Sequence, residues 1–306
     1  MRKILFIICW ALAGVGLYSC SLDEPSYGKT TSDNYYQKES DIEQALTGAY
    51  LQLRTTWNEY ALNHYFVGDC STDDALKGGG NDGDRAEVRD LSDFTIYTTN
   101  GEVGRRWEIL YRLINRCNDV IYYAPDAIGN EELLKRYANE AKALRAFGYY
   151  CLVTTFGEVP LITTPMQPAE ILQIPRSPLE KVYECIVSDL TDASALPAKG
   201  DYSEDDAYRA TRGFAKTMLA KTYMFKGDFT SAETVLHDII EVDKDYTLLS
   251  DYNAVFDKAN KNNQESILEV QYANDGSTDE WNRIPWNIIP KCSNNEVLMG
   301  IAGSNY

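Results

Sequence analysis

Clustered acids and paired aromatic–amide motifs are the residues here whose type and spacing could do chemistry. The densest set runs from Gly68 to Asp93 and holds Asp69, Asp73, Asp74, Asp82, Asp84, Asp90 and Asp93, interleaved with Gly78, Gly79, Gly80 and Gly83. Oxygen-rich, flexible loops suit calcium. None of these acids opens the D-x-[DN]-x-[DN]-G spacing closed by glutamate at the twelfth position, so a solvated loop is the favoured reading. Calcium is the alternative, and no other cofactor is indicated. The glycines are not a phosphate loop, because no Gly-Lys-Ser/Thr follows them. Toward the other end, Trp281-Asn282 and Trp286-Asn287 repeat an indole and an amide five residues apart, with Pro285 stiffening the run. Sugars present flat C–H faces to aromatic rings and hydroxyls to amides and carboxylates. Trp281 and Trp286 are therefore the chief candidate ligand contacts, with Tyr65, Asp73 and Asp74 as lesser ones. The competing reading is that both indoles simply cover the end of the scaffold.

Catalytic constellations are thin. The two histidines, His64 and His237, lie far apart in sequence, which leaves a serine triad or a histidine-ligated metal without support. His64 sits among Tyr60, Tyr65 and Phe66, open to either core or ligand contact. His237 reads as a surface helix residue. Paired carboxylates for glycoside hydrolysis could be drawn from so many acids, but nothing in the sequence sets a pair at the needed separation.

The elements that must position these groups are helices. Apolar residues recur at helical spacing in six stretches. They are Ile42 to Leu53, Trp107 to Ile121, Leu134 to about Thr155, Val182 to Ala193, Phe214 to Tyr223 and Ala232 to Ile239. Ser177-Pro178-Leu179-Glu180 has the form of a capping box with proline at the first helical position. Arg145, alone amid apolar residues of the third helix, requires a carboxylate or carbonyl partner. Gly157 and Pro160 end that helix. Gly213 to Val242 reads as a helical hairpin turning at Gly227-Asp228, with Ala215, Ala220 and Ala232 allowing close approach. It resembles a tetratricopeptide unit. The predicted fold is mainly α, an α–α superhelix of tetratricopeptide-like hairpins with long loops and a few short strands. The strand candidates are Ser266 to Tyr272 and the extended piece Val159 to Ile162.

The N-terminus carries an address. Arg2 and Lys3 precede an uncharged, mostly apolar run from Ile4 to Ser19, too short to span a membrane comfortably. It closes on Leu17-Tyr18-Ser19-Cys20, which resembles a bacterial lipobox, so residues 1–19 read as a signal peptide and Cys20 as the acylated mature N-terminus. Losing residues 1–19 removes two positive charges and no acid, taking the net charge from −17 to −19. Such acidity disfavours nucleic acid as a partner. Of the other cysteines, Cys117, Cys151 and Cys185 fall at helix apolar positions and read as small core residues. The odd count after Cys20 gives no complete disulfide framework. Residues 20–37 read as a polar tether, 38–243 as the helical domain, and 244–306 as the start of a C-terminal region that stops without a capping element.

Several blocks together resemble the SusD/RagB family of nutrient-uptake lipoproteins. They are Cys20 to Pro25, Ser40 to Tyr50, Trp107 to Tyr111 with Asn115 and Asn118, Glu140 to Tyr150, Phe156 to Thr163, and the hairpin ending near Glu241. The resemblance implies a tetratricopeptide scaffold on the cell surface, lipid-anchored in the outer membrane. It implies a SusC-like TonB-dependent transporter as partner, to which glycan or peptide nutrients are delivered, and no enzymatic activity. The acidic pair Asp23-Glu24 resembles the signal that exports such lipoproteins to the cell exterior. Family members usually continue well past residue 306. The rival readings are a repeat scaffold for a protein partner and a glycoside hydrolase lipoprotein.

If Cys20 carries lipid, Cys20→Ala should move the protein from the membrane fraction to the soluble fraction. Mass spectrometry of the wild-type protein should find acyl chains on Cys20. An unmodified, soluble mature form in the native host would contradict this reading.

Overall fold

The computed structural model describes residues 35–54, 60–79, 81, 83–272 and 284. Six long-range helical partners form the body: α1 (Glu39–Tyr50), α4 (Gly101–Tyr123), α5 (Glu131–Phe156), α7 (Leu179–Ala193), α8 (Arg212–Lys226) and α9 (Phe229–His237). Shorter helices α2 (Tyr60–Gly68), α3 (Ala86–Ser92) and α6 (Pro168–Ile171) lie between them in sequence. The body helices pack in succession, α1 on α4 and α5, α4 on α5, α5 on α7, α7 on α8 and α8 on α9. That neighbour-to-neighbour order is the architecture of a helical-repeat stack. No helix among the described residues is long and apolar enough to cross a membrane.

Four of the six body helices start where the sequence offers a side-chain acceptor for otherwise unpaired N–H groups. Asn100 caps α4, accepting from Glu102 N and Val103 N at 3.0 and 3.2 Å. Asn130 caps α5 through Glu132 N and Leu133 N. Thr211 caps α8, and Asp228 caps α9. Glycine ends α5 at Gly157 and α8 at Gly227, with φ of +72° and +77°, a conformation that costs other residues dearly.

α5 is the helix the others meet. Its apolar positions Ala141, Leu144, Tyr149 and Leu152 are almost wholly buried. Two ionisable residues on it, Glu140 and Arg145, are buried too, and each meets a different set of neighbours. The Arg145 guanidinium grips both carboxylate oxygens of Asp189 on α7 at 2.8 Å, with Nε and Nη2 donating. Its Nη1 donates to Asn118 Oδ1 on α4 at 2.9 Å and to the Thr163 carbonyl at 3.0 Å. Glu140 accepts from the Tyr50 hydroxyl of α1 at 2.8 Å and from Arg209 Nη1 at 3.4 Å. Tyr50 in turn accepts from Ala210 N at 2.7 Å, and Arg209 also pairs with Asp206 and Glu43. The 198–211 loop is thereby fastened to α1 and α5.

The structure departs from the sequence reading at four places. No strand forms among the described residues; an isolated bridge joins Lys38 to Ile128. Residues 266–272 do not alternate, because Ile267, Leu268 and Val270 all pack against the core. With no neighbouring strand, the Ser266 carbonyl accepts from Lys199 instead. The 159–163 segment is likewise held by side chains: Tyr111 donates to Pro160 O, Asn118 to Ile162 O, and the Tyr149 hydroxyl exchanges bonds with Ile162. Ser177 does not cap α7. Its hydroxyl accepts from Leu161 N at 3.3 Å, joining the helix start to that same segment. Finally, the 68–93 stretch is not wholly loop, since α3 forms within it and buries Val88 and Leu91 against Leu62, Phe66 and Cys70.

The hairpin reading holds. Ala215, Ala220 and Ala232 are buried where α8 meets α9, and a side chain at Gly213 would strike the Tyr246 ring. Ala232→Leu should lower stability by about 1–3 kcal/mol through overpacking, read from chemical denaturation; an unchanged midpoint would refute the close contact. Glu140 makes a pH prediction. Burial pushes its carboxyl from the ordinary 4.5 up to about 7, against the opposing pull of Arg209, Tyr50 and Arg136. A carboxyl raised in the folded state adds stability fully present below its unfolded value and lost as pH climbs toward its folded one. Glu140→Gln carries no such group. Its melting temperature relative to wild type should therefore rise as pH goes from 4.5 to 7. Parallel profiles would contradict this.

Candidate functional site

The candidate ligand residues fall into two groups. Cys20, Trp281 and Trp286 lie outside the described residues. Tyr65, Asp73 and Asp74 lie on one segment, running from α2 into the turn that follows it. The sequence reading had not separated α2 as a helix, because nine residues rich in aromatics show no clear apolar stripe.

α2 is anchored from below. Tyr60, Leu62, Asn63 and Phe66 are buried, and Asn63 Nδ2 donates to the carbonyl of Glu102 at 2.9 Å and its carboxylate at 3.2 Å. The Tyr60 hydroxyl meets Cys151 Sγ at 3.3 Å. His64 stacks on Tyr60 with centroids 5.0 Å apart and planes 15° from parallel. Its Nδ1 lies 3.2 Å from Arg106 Nη1, whose Nε donates to Thr155 Oγ1 at 3.0 Å. Burial first and Arg106 second hold the imidazole below its ordinary value, which fits a neutral ring accepting at Nδ1. His64 is thus tied to an arginine rather than to an acid–nucleophile pair.

Tyr65 is half-buried, packed against the small core of Leu62, Phe66, Cys70, Val88 and Leu91. Burial, with Cys70 and Asp69 nearby, pushes its phenol up, so it stays a neutral donor and acceptor. Asp73 and Asp74 are exposed. The chain is then drawn back by Lys77 N donating to Ser92 Oγ at 3.1 Å. Asn81 Oδ1 accepts from Gly83 N and Asp84 N, and the Arg85 guanidinium lies 4.6 Å from the centre of the Phe66 ring. The acids do not converge. Among the described residues no group of three or more His, Cys, Asp or Glu could hold a metal ion. Asp82 lies outside the described residues.

Beyond α3 the chain presents what the sequence reading passed over. Phe94 and Tyr97 are 67% and 66% exposed, Ile96 is exposed beside them, and Leu76 in the preceding loop is 83% exposed. Phe94 adopts φ +56°, a left-handed conformation uncommon for an aromatic residue. The segment carrying it is fixed at both ends. Thr95 N donates to Asp90 O at 2.9 Å, and Asn100 both caps α4 and donates to Glu87 O at 2.9 Å. Rings displayed on a pinned backbone are suited to stacking against a flat apolar face, and the exposed carboxylates of Asp73 and Asp74 on the same lobe suit hydroxyls. Asn100-Gly101-Glu102 was the legible signal: it is a helix cap, and it starts α4 six residues ahead of Trp107.

The buried acids serve the scaffold. Glu140 and Asp189 are each locked to arginine away from solvent. Cys70, Cys117 and Cys151 are buried free thiols and Cys185 is half-buried, with burial raising all four above the ordinary thiol value. None has the lowered value of a reactive thiolate.

A SusD-like family profile, described as starch-binding associating with outer membrane, matches residues 22–224. SusD-like protein P2 of Formosa agariphila is 29% identical over 262 residues, which are 83% of this chain and 49% of that protein. Among solved structures, a laminarin binding SusD-like protein superposes with a TM-score of 0.73 at 32% identity, covering 81% of this chain and 54% of the other. Surface glycan-binding protein A from Bacteroides thetaiotaomicron, in complex with laminarihexaose, gives 0.66 at 25% identity, with coverages of 77% and 50%. The chain spans about half the length of the curated relatives it matches.

Proposed function

This chain belongs to the SusD-like family, and from that premise we propose that it captures glycans at the bacterial surface without cleaving them. The observation that carries the reading is the pinned, outward-facing aromatic segment at Phe94 and Tyr97 on the lobe that also bears Tyr65, Asp73 and Asp74. Similarity to a laminarin binding protein and to a protein solved with laminarihexaose makes a β-glucan the first ligand class to try. Trp281 and Trp286 supply further stacking surfaces in this proposal. The glycan passes to a SusC-like TonB-dependent transporter, and acylated Cys20 holds the protein to the outer membrane, facing the exterior. Binding without hydrolysis is supported by the burial of Glu140 and Asp189 in arginine pairs, out of reach of a sugar.

An aromatic ring covered by a sugar contributes roughly 1–2 kcal/mol through buried area and contact. Calorimetric titration with laminarihexaose should therefore show Phe94→Ala/Tyr97→Ala, which removes two rings, weakening binding by about 30- to 1,000-fold. Trp281→Ala and Trp286→Ala should each weaken it while leaving helical content and melting temperature nearly intact. Unchanged affinity in all three variants would defeat the proposed face, as would losses of binding that merely track losses of stability.

A further inference from the structure

A second concavity lies away from the aromatic segment, where the 199–211 loop faces residues 261–269. It encloses about 270 Å³, at the small end of the range of roughly 300–1,000 Å³ typical of ligand pockets. Its walls carry Lys199 and Lys261 together with Glu204 and Glu269. Two cations and two anions cancel, which selects against a strongly charged guest. Tyr202, Ala207, Ile267 and Leu268 add apolar surface to a lining that also carries hydroxyls and an amide.

The walls are held rigidly. The Lys199 ammonium donates to the carbonyls of Asn263 and Ser266, bridging the two sides of the cavity. The Tyr202 hydroxyl donates to Ala210 O at 2.9 Å, and Thr211 Oγ1 bonds the Tyr246 hydroxyl at 2.8 Å. Asn262 sits at φ +51°, and its N–H donates to Glu269 Oε1 at 2.9 Å. Asparagine tolerates this left-handed backbone better than most residues, and the bond to Glu269 fixes both groups at the wall. By contrast, the side chains of Lys261 and Glu204 make no hydrogen bond or ion pair among the described residues. A preformed cavity with free charged donors and acceptors, balanced in sign, binds molecules whose polar groups both donate and accept.

We infer that this cavity is a subsite for a single neutral sugar residue, separate from the aromatic face. A pyranose brings hydroxyls that accept from Lys261 and donate to Glu204 or Glu269, and a C–H face that covers Ile267 and Leu268. The cavity is about the size of one ring, so its natural guest is a free hexose or the terminal unit of an oligosaccharide. The inference stands on the cavity's own lining and holds whether or not Phe94 and Tyr97 bind glycan.

Saturation-transfer NMR on the full chain, with glucose, galactose and mannose as neutral probes, glucuronate as an anion and alanine as a zwitterion, tests this directly. A neutral hexose should receive saturation at millimolar concentration, and glucuronate and alanine should not compete with it. Ala207→Phe fills the cavity and should abolish the signal, while exposed Lys261→Ala should weaken affinity at least threefold with an unchanged melting temperature. Phe94→Ala/Tyr97→Ala should leave hexose binding intact, so failure of one site is distinguishable from failure of the other. No transfer to any hexose, preference for glucuronate or alanine, or a signal that survives in folded Ala207→Phe would overturn the inference. Should Ala207→Phe not fold, undiminished affinity in Lys261→Ala overturns it alone.

Discussion

A guanidinium almost wholly withdrawn from bulk water sets the terms for this fold. Arg145 sits on the central helix α5, finds all its hydrogen-bond partners on other elements, and would cost several kcal/mol if left as an unpaired buried charge. The cost is offset only if α7 brings Asp189, α4 brings Asn118 and the chain after α5 brings the Thr163 carbonyl to the same point. Apolar stripes make helices stick, but they tolerate sliding and rotation. A bidentate carboxylate and two further acceptors do not. Burial alone would lower the Arg145 value, yet the Asp189 pairing raises it above the ordinary arginine range.

A second polar cluster acts on another side of α5. Glu140 collects Tyr50 from α1 and Arg209 from the 198–211 loop, and Arg209 reaches Glu43 and Asp206. The two clusters divide the labour: Arg145 registers α4, α5 and α7, while Glu140 registers α1 and the loop that leads into α8. Arg145 meets α4 at Asn118, on the helix whose start carries Asn100 and Arg106, and Glu140 holds the loop that forms one wall of the cavity facing residues 261–269. Charge pairing in the interior thus holds the wall of the cavity, while the aromatic segment is held by Asn100 and Asp90.

The long helices were legible because each carries enough turns for its apolar period to show. The need of Arg145 for a partner was legible from its apolar surroundings, although the identity of Asp189, 44 residues away, was not. Short elements were hidden for physical reasons. α2 and α3 hold their places through Asn63, Arg85 and Ser92 and a satellite core of five residues, not through a stripe. Ser177 had the right spacing to cap α7, but Leu161 N competes for its hydroxyl and wins. Residues 266–272 had an alternating pattern without a partner strand. The binding candidates were chosen by type, and type alone overlooked Phe94 and Tyr97, whose exposure depends on a left-handed turn after α3.

The account stands or falls on whether the buried pair organises the stack, and a double-mutant cycle on Arg145→Met and Asp189→Leu measures that directly. Each single change should cost about 3–5 kcal/mol, because it leaves the opposite charge buried and alone. The double variant, with both charges replaced by apolar groups, should be at least as stable as either single one, giving a coupling energy of about 3 kcal/mol or more by chemical denaturation. Single variants that each cost less than about 1 kcal/mol and add without coupling would show that apolar packing alone sets the register.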